Sequence, residues 1–323
     1  MYENHVTIVD YSVYLPKSRT HVTKAIQQVK ADGVEFRMSD SEYLNKGFEL
    51  VSIEEELELE QMIATVCRPI LRRALQMNVQ IAAVMFASVT NNENGERNLF
   101  DRLADEFALE AVPFIPLEEY SCSTMHLSLC LASNYFMAPR QQGEGILFIT
   151  ADRAMNSYER SDPFMVFGDG ASAALYMKGQ RQGQQTLASV MRVDGLVYDL
   201  APDRIQLYYS TFYLGVRQAV RAALSESGIH IAQIAVIFCT NLGLHVWSML
   251  AQVLRVSLER FYNLTLSKDG HIHNTDILNN IDHAIRSGFL KEGDLYMTIS
   301  VGFGGYYGCA IHRYAKKVNE LCI

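Results

Sequence analysis

The sequence predicts an α/β fold made of two similar halves, each built on a mostly parallel sheet. Apolar runs rich in β-branched residues alternate with helical patterns through most of the 323 residues, which is typical of strands joined by helices. The order helix, strand, helix, helix, strand, strand occurs twice, with an offset of roughly 150 residues. A chain of this length exceeds one ordinary core, so we expect residues 1–178 and 179–323 to form the two halves.

The first half opens with a long helix that we expect to begin at Ser52, whose side chain can cap it while Glu55 reaches back. Pro69 lies inside the helical pattern and should kink or split it. The elements that follow are predicted as strand 81–88, helix 98–109, strand 113–121, helix 123–138, strand 145–152 and strand 169–177.

The second half repeats this order after a connector predicted over residues 178–186. Its elements are helix 211–227, strand 234–240, helix 244–256, helix 275–287, strand 295–301 and strand 307–314. A twofold relation between the halves would place the helix that starts at Ser123 opposite the helix that starts at Thr275. We therefore expect both helix starts to face one pocket, because ligands bind at strand ends and helix N-termini.

The composition excludes several classes of function. With 28 basic and 36 acidic side chains the net charge is −8, so we predict no nucleic-acid partner. The first residues show no secretory signal, and the longest uncharged run, 295–311, is glycine-rich and too short for a membrane span. We therefore expect a cytoplasmic protein. The six cysteines lie far apart without zinc-like spacing, so no metal site is predicted.

Cys122 is the candidate nucleophile. It ends an apolar strand directly before a helix, where backbone N–H groups and the positive helix end favour the thiolate. A thiolate can attack a thioester and hold the acyl group as a new thioester.

Four segments in this order resemble the β-ketoacyl-ACP synthase III family, and a Tyr-Leu-Pro element at 14–16 adds to the likeness. They are SCSTMHLSLCLASNYF from residue 121, FGDGASA at 167–173, GHIHNTD at 270–276 and GFGGYYG at 302–308. The resemblance implies a dimeric thiolase fold with five layers, αβαβα, from two duplicated halves. It also implies that Cys122 takes an acyl group from CoA or an acyl carrier protein, with no permanently bound cofactor.

The resemblance gives the other site residues more varied roles. A backbone N–H near Phe303 or Gly304 would join that of Cys122 to hold the thioester oxyanion, although the local sequence fits a simple tight bend equally well. Thr240 stands where the family has its catalytic His. Threonine cannot act as a base, so decarboxylative condensation is doubtful.

The replacement for the family's His and Asn is expected in the loop before residue 275. Asn274 or Asp276 can stand against the family's Asn, in a GHxxxxD arrangement that resembles relatives of specialised metabolism, including antibiotic biosynthesis. Some of those relatives form esters or amides by acyl transfer. As the base we favour His271 or His273 over His245, which would lie about one helical turn further on.

Three functions stay open at this stage. The leading hypothesis is an acyltransferase that loads Cys122 and passes the acyl group to a second substrate. The alternatives are a non-catalytic partner subunit of a heteromeric ketosynthase and a decarboxylating ketosynthase with a relocated His. The resemblance implies a homodimer or a heterodimer with a related synthase.

Overall fold

A computed structural model describes residues 5–90, 99–118, 120–138, 143–197 and 202–316. The strands are β1 Val6–Tyr14, β2 Arg19–His21, β3 Leu50–Ser52, β4 Gln80–Ala87, β5 Phe114–Pro116, β6 Glu144–Asp152, β7 Ser161–Asp162, β8 Met165–Val166, β9 Gly170–Lys178, β10 Gly183–Val193, β11 Ile234–Cys239, β12 Leu295–Gly302 and β13 Tyr306–Ala315. The helices are α1 Val22–Ala31, α2 Asp40–Asn45, α3 Leu59–Gln76, α4 Leu99–Phe107, α5 Thr124–Met137, α6 Ser157–Arg160, α7 Pro202–Ser227, α8 Leu244–Leu254, α9 Leu266–Asp269 and α10 Thr275–Arg286.

The main sheet has a repeated topology. Its strand order is β11-β12-β13-β10-β1-β9-β6-β4-β5. Read outward from the centre, β1-β9-β6-β4 and β10-β13-β12-β11 show the same succession of antiparallel, antiparallel and parallel pairs. A single bridge between Ile237 and Phe261 stands where β5 pairs in the first half. This topology confirms the internal repeat, while the boundary at residue 178 stays a prediction.

Three hydrophobic clusters separate the fold into five layers. Along β6, Ile146 and Phe148 pack with α5 and α10, whereas Leu147 and Ile149 pack with α3, as the two-residue period of a strand requires. Residues of β11 and β13 join the same central cluster, and their other faces pack with α7 and α8. The layers are therefore α3, the first-half strands, α5 with α10, the second-half strands, and α7 with α8. This confirms the five-layered fold.

Some predicted details differ from the structure. Antiparallel pairs outnumber parallel ones in the described sheet, because each half ends in strands that pair antiparallel with their neighbours. The predicted connector contains the start of β10. Ser52 lies in β3 rather than capping a helix, and its hydroxyl donates to the backbone oxygen of Asp169. Helix α3 begins after Glu58 and continues through Pro69.

No helix among the described residues is both long and apolar enough to cross a membrane.

Candidate active site

Cys122 lies on a tight turn between β5 and α5. The turn is a single 3-10 segment, Ser121–Ser123, and Ser121 has a φ of +49°. Gly302, at the end of β12, lies directly against it: a Cβ there would be 2.3 Å from the backbone oxygen of Tyr120 and 2.6 Å from the hydroxyl of Ser123. Glycine is therefore required at 302 so that the second-half strand can approach the nucleophile turn.

The loop before α10 and the first turn of that helix place a histidine next to the sulfur and a carboxylate behind the histidine. His271 Nε2 is 3.4 Å from Cys122 Sγ, and its Nδ1 is 2.5 Å from Oδ2 of Asp276. The carboxylate is held by backbone donors, since Asn241 N–H donates to Oδ2 and Ile272 N–H to Oδ1. We call Cys122, His271 and Asp276 the triad. All three are buried.

The electrostatics of the triad favour a thiolate and an imidazolium. Burial alone would raise the pKa of the Cys122 thiol, but the charge of His271 and hydrogen bonds from His271 and His273 lower the pKa to about 6. Burial lowers the pKa of His271, yet the charges of Asp276 and Cys122 raise it well above its ordinary value. The carboxylate therefore stabilises the charged imidazole, which in turn stabilises the sulfur anion.

A second imidazole, that of His273, also contacts the Cys122 sulfur. His273 Nδ1 is 3.7 Å from Cys122 Sγ, and its ring packs on Phe167 with centroids 4.7 Å apart. Its backbone φ of +54° is in the left-handed region, which is uncommon for a residue with a side chain and is found at functional sites. Burial lowers the pKa of His273, but the charge of Asp152 and the contact with Cys122 raise it.

Asn274 joins the two halves beside the sulfur without touching it. Its Nδ2 donates to the backbone oxygen of Ser121, and its Oδ1 accepts from the N–H of Thr124, both at 3.0 Å. It therefore fixes the nucleophile turn and the start of α5 as a positioning residue. These contacts confirm that the starts of α5 and α10 face each other.

The remaining predicted residues lie in different surroundings. The hydroxyl of Thr240, at the end of β11, accepts from the N–H of Val301. Gly304 has a φ of +90° in the turn after β12, and the Phe303 side chain there is 44% exposed. His245 is exposed in the first turn of α8, near Lys46 and away from the sulfur, so the structure does not place it as an alternative base.

The sulfur and the two imidazoles beside it are also close enough together to hold a metal ion. One ligand atom each from Cys122, His271 and His273 lies within 4.8 Å of the others. Thiolate sulfur and imidazole nitrogen are preferred ligands of zinc, and a carboxylate behind a ligating His is a common support. The sequence spacing could not indicate this group, because 149 residues separate Cys122 from His271.

Two contributors to the site were missed in the sequence. Asp152 ends β6 and acts on His273 through its charge, and Asn241 holds Asp276 through its backbone. A signal existed for the first of them, because an acidic residue at the carboxyl end of a strand commonly lies at a site.

Comparison with known proteins finds similarity to synthase III sequences. Residues 224–314 match the family described as 3-oxoacyl-(acyl-carrier-protein) synthase III C terminal. The curated β-ketoacyl-(acyl-carrier-protein) synthase III of Aquifex aeolicus is 22% identical over 204 residues, which cover 60% of this chain and 65% of that protein. These two matches support the predicted resemblance to the β-ketoacyl-ACP synthase III family.

Solved structures share the synthase III fold over nearly the whole chain. The crystal structure of the Aquifex aeolicus synthase III has a TM-score of 0.77 at 18% identity and covers 96% of this chain and 100% of its own. The acyltransferase ChlB3 has a TM-score of 0.81 at 15% identity, with coverage of 97% and 98%. The priming β-ketosynthase of the R1128 polyketide pathway has a TM-score of 0.77 at 16% identity, with 97% of each chain covered.

Proposed function

We propose that this synthase III relative is an acyltransferase that loads an acyl group onto Cys122 and passes it to a hydroxyl or amine. The observation that carries the proposal is the line of contacts from Cys122 through His271 to Asp276. A nucleophile, a base and a carboxylate that orients the base form the arrangement that acyl transfer uses on many folds.

In the loading step, the Cys122 proton lies on His271 and the thiolate attacks the carbonyl carbon of an acyl thioester of CoA or a carrier protein. The carbon–sulfur bond to the donor breaks, and the leaving thiolate takes the proton from Nε2 to become a thiol. The lowered pKa of Cys122, about 6, supplies the thiolate near neutral pH. No permanently bound cofactor takes part in this scheme.

The oxyanion of the loading step would be held by backbone N–H groups. The proposed donors are those of Cys122 and of Phe303 or Gly304. Support comes from Gly302, which brings the turn after β12 against the residues around Cys122, and from the left-handed backbone of Gly304, which glycine adopts without strain.

In the transfer step, His271 takes the proton of the attacking hydroxyl or amine, and the Cys122–acyl bond breaks to return the thiolate. The Nδ1–Asp276 contact holds the base in one orientation for both steps. Thr240 gives condensation no comparable support, because a threonine hydroxyl cannot act as a base. Among the proteins with this fold, ChlB3 is itself named an acyltransferase.

One observation favours a decarboxylating ketosynthase as the second candidate. Two imidazoles, His271 and His273, lie at the sulfur, so one could serve as base while the other donates to an enolate oxygen. The triad geometry gives the third hypothesis, a non-catalytic subunit, no such support. The proposed partners are an acyl thioester, a small acceptor and a second synthase-like subunit in a cytoplasmic dimer.

Intact-protein mass spectrometry after mixing with a range of acyl-CoA and acyl-pantetheine thioesters tests the proposal. We expect one acyl mass on the native protein and on Cys130→Ala, a matched variant of a half-buried thiol elsewhere, and none on Cys122→Ala. No adduct from any donor, or an adduct that survives Cys122→Ala, contradicts the proposal. Release of carbon dioxide from a malonyl donor would favour the condensing reaction instead.

A further inference from the structure

Five buried polar atoms without a hydrogen-bond partner among the described residues belong to residues that the sheet register and the packing of α10 bring together near Cys122. They are Thr150 Oγ1, Asp152 Oδ2, Ser172 Oγ, Thr275 Oγ1 and His273 Nε2. Buried polar groups in folded proteins are nearly always paired with protein, water or ligand, so a concentration of unpaired ones marks a place that receives something polar.

The sheet register places these atoms together. Thr150 on β6 is directly opposite Ser172 on β9, and Asp152 is opposite Gly170 two residues further along. These positions share the face of Ile146 and Phe148, which points toward α5 and α10. The methyl group of Thr275 would be 3.5 Å from a Cβ at Gly170.

His273 connects this group of atoms with the reacting sulfur. Its Nδ1 faces Cys122, so Nε2 lies across the ring on the side away from the sulfur. The charge of Asp152 acts on the same imidazole. The unpaired Nε2 of His273 therefore lies one ring's width from Cys122, within reach of the charge of Asp152.

We propose that these five residues, which we call the polar chamber, receive a hydroxyl group carried by the acyl chain on Cys122. The inference rests on the proposed loading of Cys122 and names the class of acyl group that is loaded. The acyl chain is the part of the substrate that fits, because the chamber lies in the buried layer between the sheet and α10. The turn after β12 lies nearer the surface, since the Phe303 side chain there is 44% exposed.

The chemistry of the lining selects a group that both donates and accepts. Three hydroxyls can do either, the carboxylate oxygen of Asp152 accepts, and the ring nitrogen of His273 donates or accepts according to its tautomer. A hydroxyl can pair with up to three of these atoms, whereas an apolar substituent pairs with none, and sites of this kind discriminate strongly against analogues that lack the hydroxyl.

Paired donors of equal size test the proposal. Pantetheine thioesters of 2-hydroxybutyrate and 3-hydroxybutyrate are compared with 2-methylbutyrate and 3-methylbutyrate, which carry a methyl in place of the hydroxyl, and the acylation rate of Cys122 is followed by mass spectrometry. We expect at least one hydroxylated donor to load ten times faster than its partner. The double variant Thr150→Val with Ser172→Ala should reduce that ratio at least fivefold.

The controls separate the outcomes. Thr7→Val removes a buried hydroxyl that is already paired with Gln180 and lies outside the chamber, so its ratio should match the native protein. The single variants Thr150→Val and Ser172→Ala replace the double variant should it fail to fold. Equal loading of both members of every pair, or a ratio that the chamber variants do not reduce, overturns the chamber but leaves the acyltransferase intact. Loading of no donor contradicts the acyltransferase itself.

Discussion

The start of α5 and the start of α10 occupy equivalent places in the two halves, yet they carry different chemistry. The first supplies one nucleophile, Cys122, on a tight turn. The second supplies His271 and His273 from the loop that precedes α10, and Asp276 from the first turn of that helix. The repeated topology brings these two segments together, and the difference between their loops determines what reaction can occur there.

Replacement of His271, the base on the α10 side, should have the largest effect on the rate of Cys122 acylation. We expect His271→Gln to slow acylation of Cys122 by about 10⁴–10⁶-fold, because the thiolate loses both its counter-charge and its proton acceptor. The native protein should react with iodoacetamide along a pH curve with a midpoint near 6, since the thiolate is lost below the pKa of about 6. In the variant the curve should move to higher pH.

The exposed His245 provides the matched control for that experiment. His245→Gln should keep both the rate and the pH midpoint of the native protein, because His245 lies in α8 away from the sulfur. If the pH midpoint is unchanged in His271→Gln, the start of α5 alone lowers the pKa of Cys122, and the assigned role of His271 is wrong.

Replacement of the carboxylate should have the next largest effect. Asp276→Asn should slow acylation by about 10³–10⁴-fold, because an amide no longer stabilises the charged imidazole or fixes its tautomer. The alkylation midpoint should rise with it, since the imidazolium that lowers the pKa of Cys122 becomes less stable. Circular dichroism checks the fold, and a native rate in a folded variant would remove Asp276 from the triad.

Zinc offers a way to measure the two imidazoles separately. Micromolar Zn²⁺ should bind Cys122, His271 and His273 and protect the thiol from iodoacetamide, with recovery when a chelator is added. His273→Gln should weaken this protection about 10–100-fold. Mg²⁺, which prefers oxygen ligands, serves as the control, and equal protection by both ions would contradict a specific site.

The smallest expected change in rate is at Asn274, the link between the two segments. Asn274→Ala leaves the Ser121 carbonyl and the Thr124 N–H without their partner, so we expect a loss of about 1–3 kcal/mol in the free energy of unfolding. Acylation should slow by no more than about tenfold, because the triad keeps its members. Denaturant unfolding and the acylation assay measure the two effects.

The sequence predicts that the two helix starts lie close together, because each of them carries a local sequence pattern. Cys122 directly precedes a helix, and the GHxxxxD spacing places His271 and Asp276 just before and within the first turn of α10. The strands β1 and β10 join the halves, but the sequence pattern predicts no strand at β1 and predicts a connector where β10 begins. Polar residues such as Gln184 and Gln185 at the start of β10 hide its strand pattern, since only pairing in the sheet reveals it.

Other features depend on contacts between distant residues and have no local signal. The simultaneous contact of both His271 and His273 with Cys122 has no local signal, and neither has the polar chamber, which joins β6, β9 and α10. The roles of Thr240 and of the N–H groups near Gly304 stay predictions, because they depend on a bound substrate.

The short pairing between β1 and β10 has a consequence for how the enzyme would lose activity. Among the described residues, β1 and β10 are paired at only two positions, Thr7 with Gln185 and Ile8 with Gln184, and side-chain packing supplies the remaining contact between the halves. Cys122 and His271 belong to opposite sides of it, so a slide of a few tenths of an ångström between the halves would lengthen the sulfur–nitrogen contact before any helix or strand melts. Catalysis should therefore fail at a lower temperature than the fold.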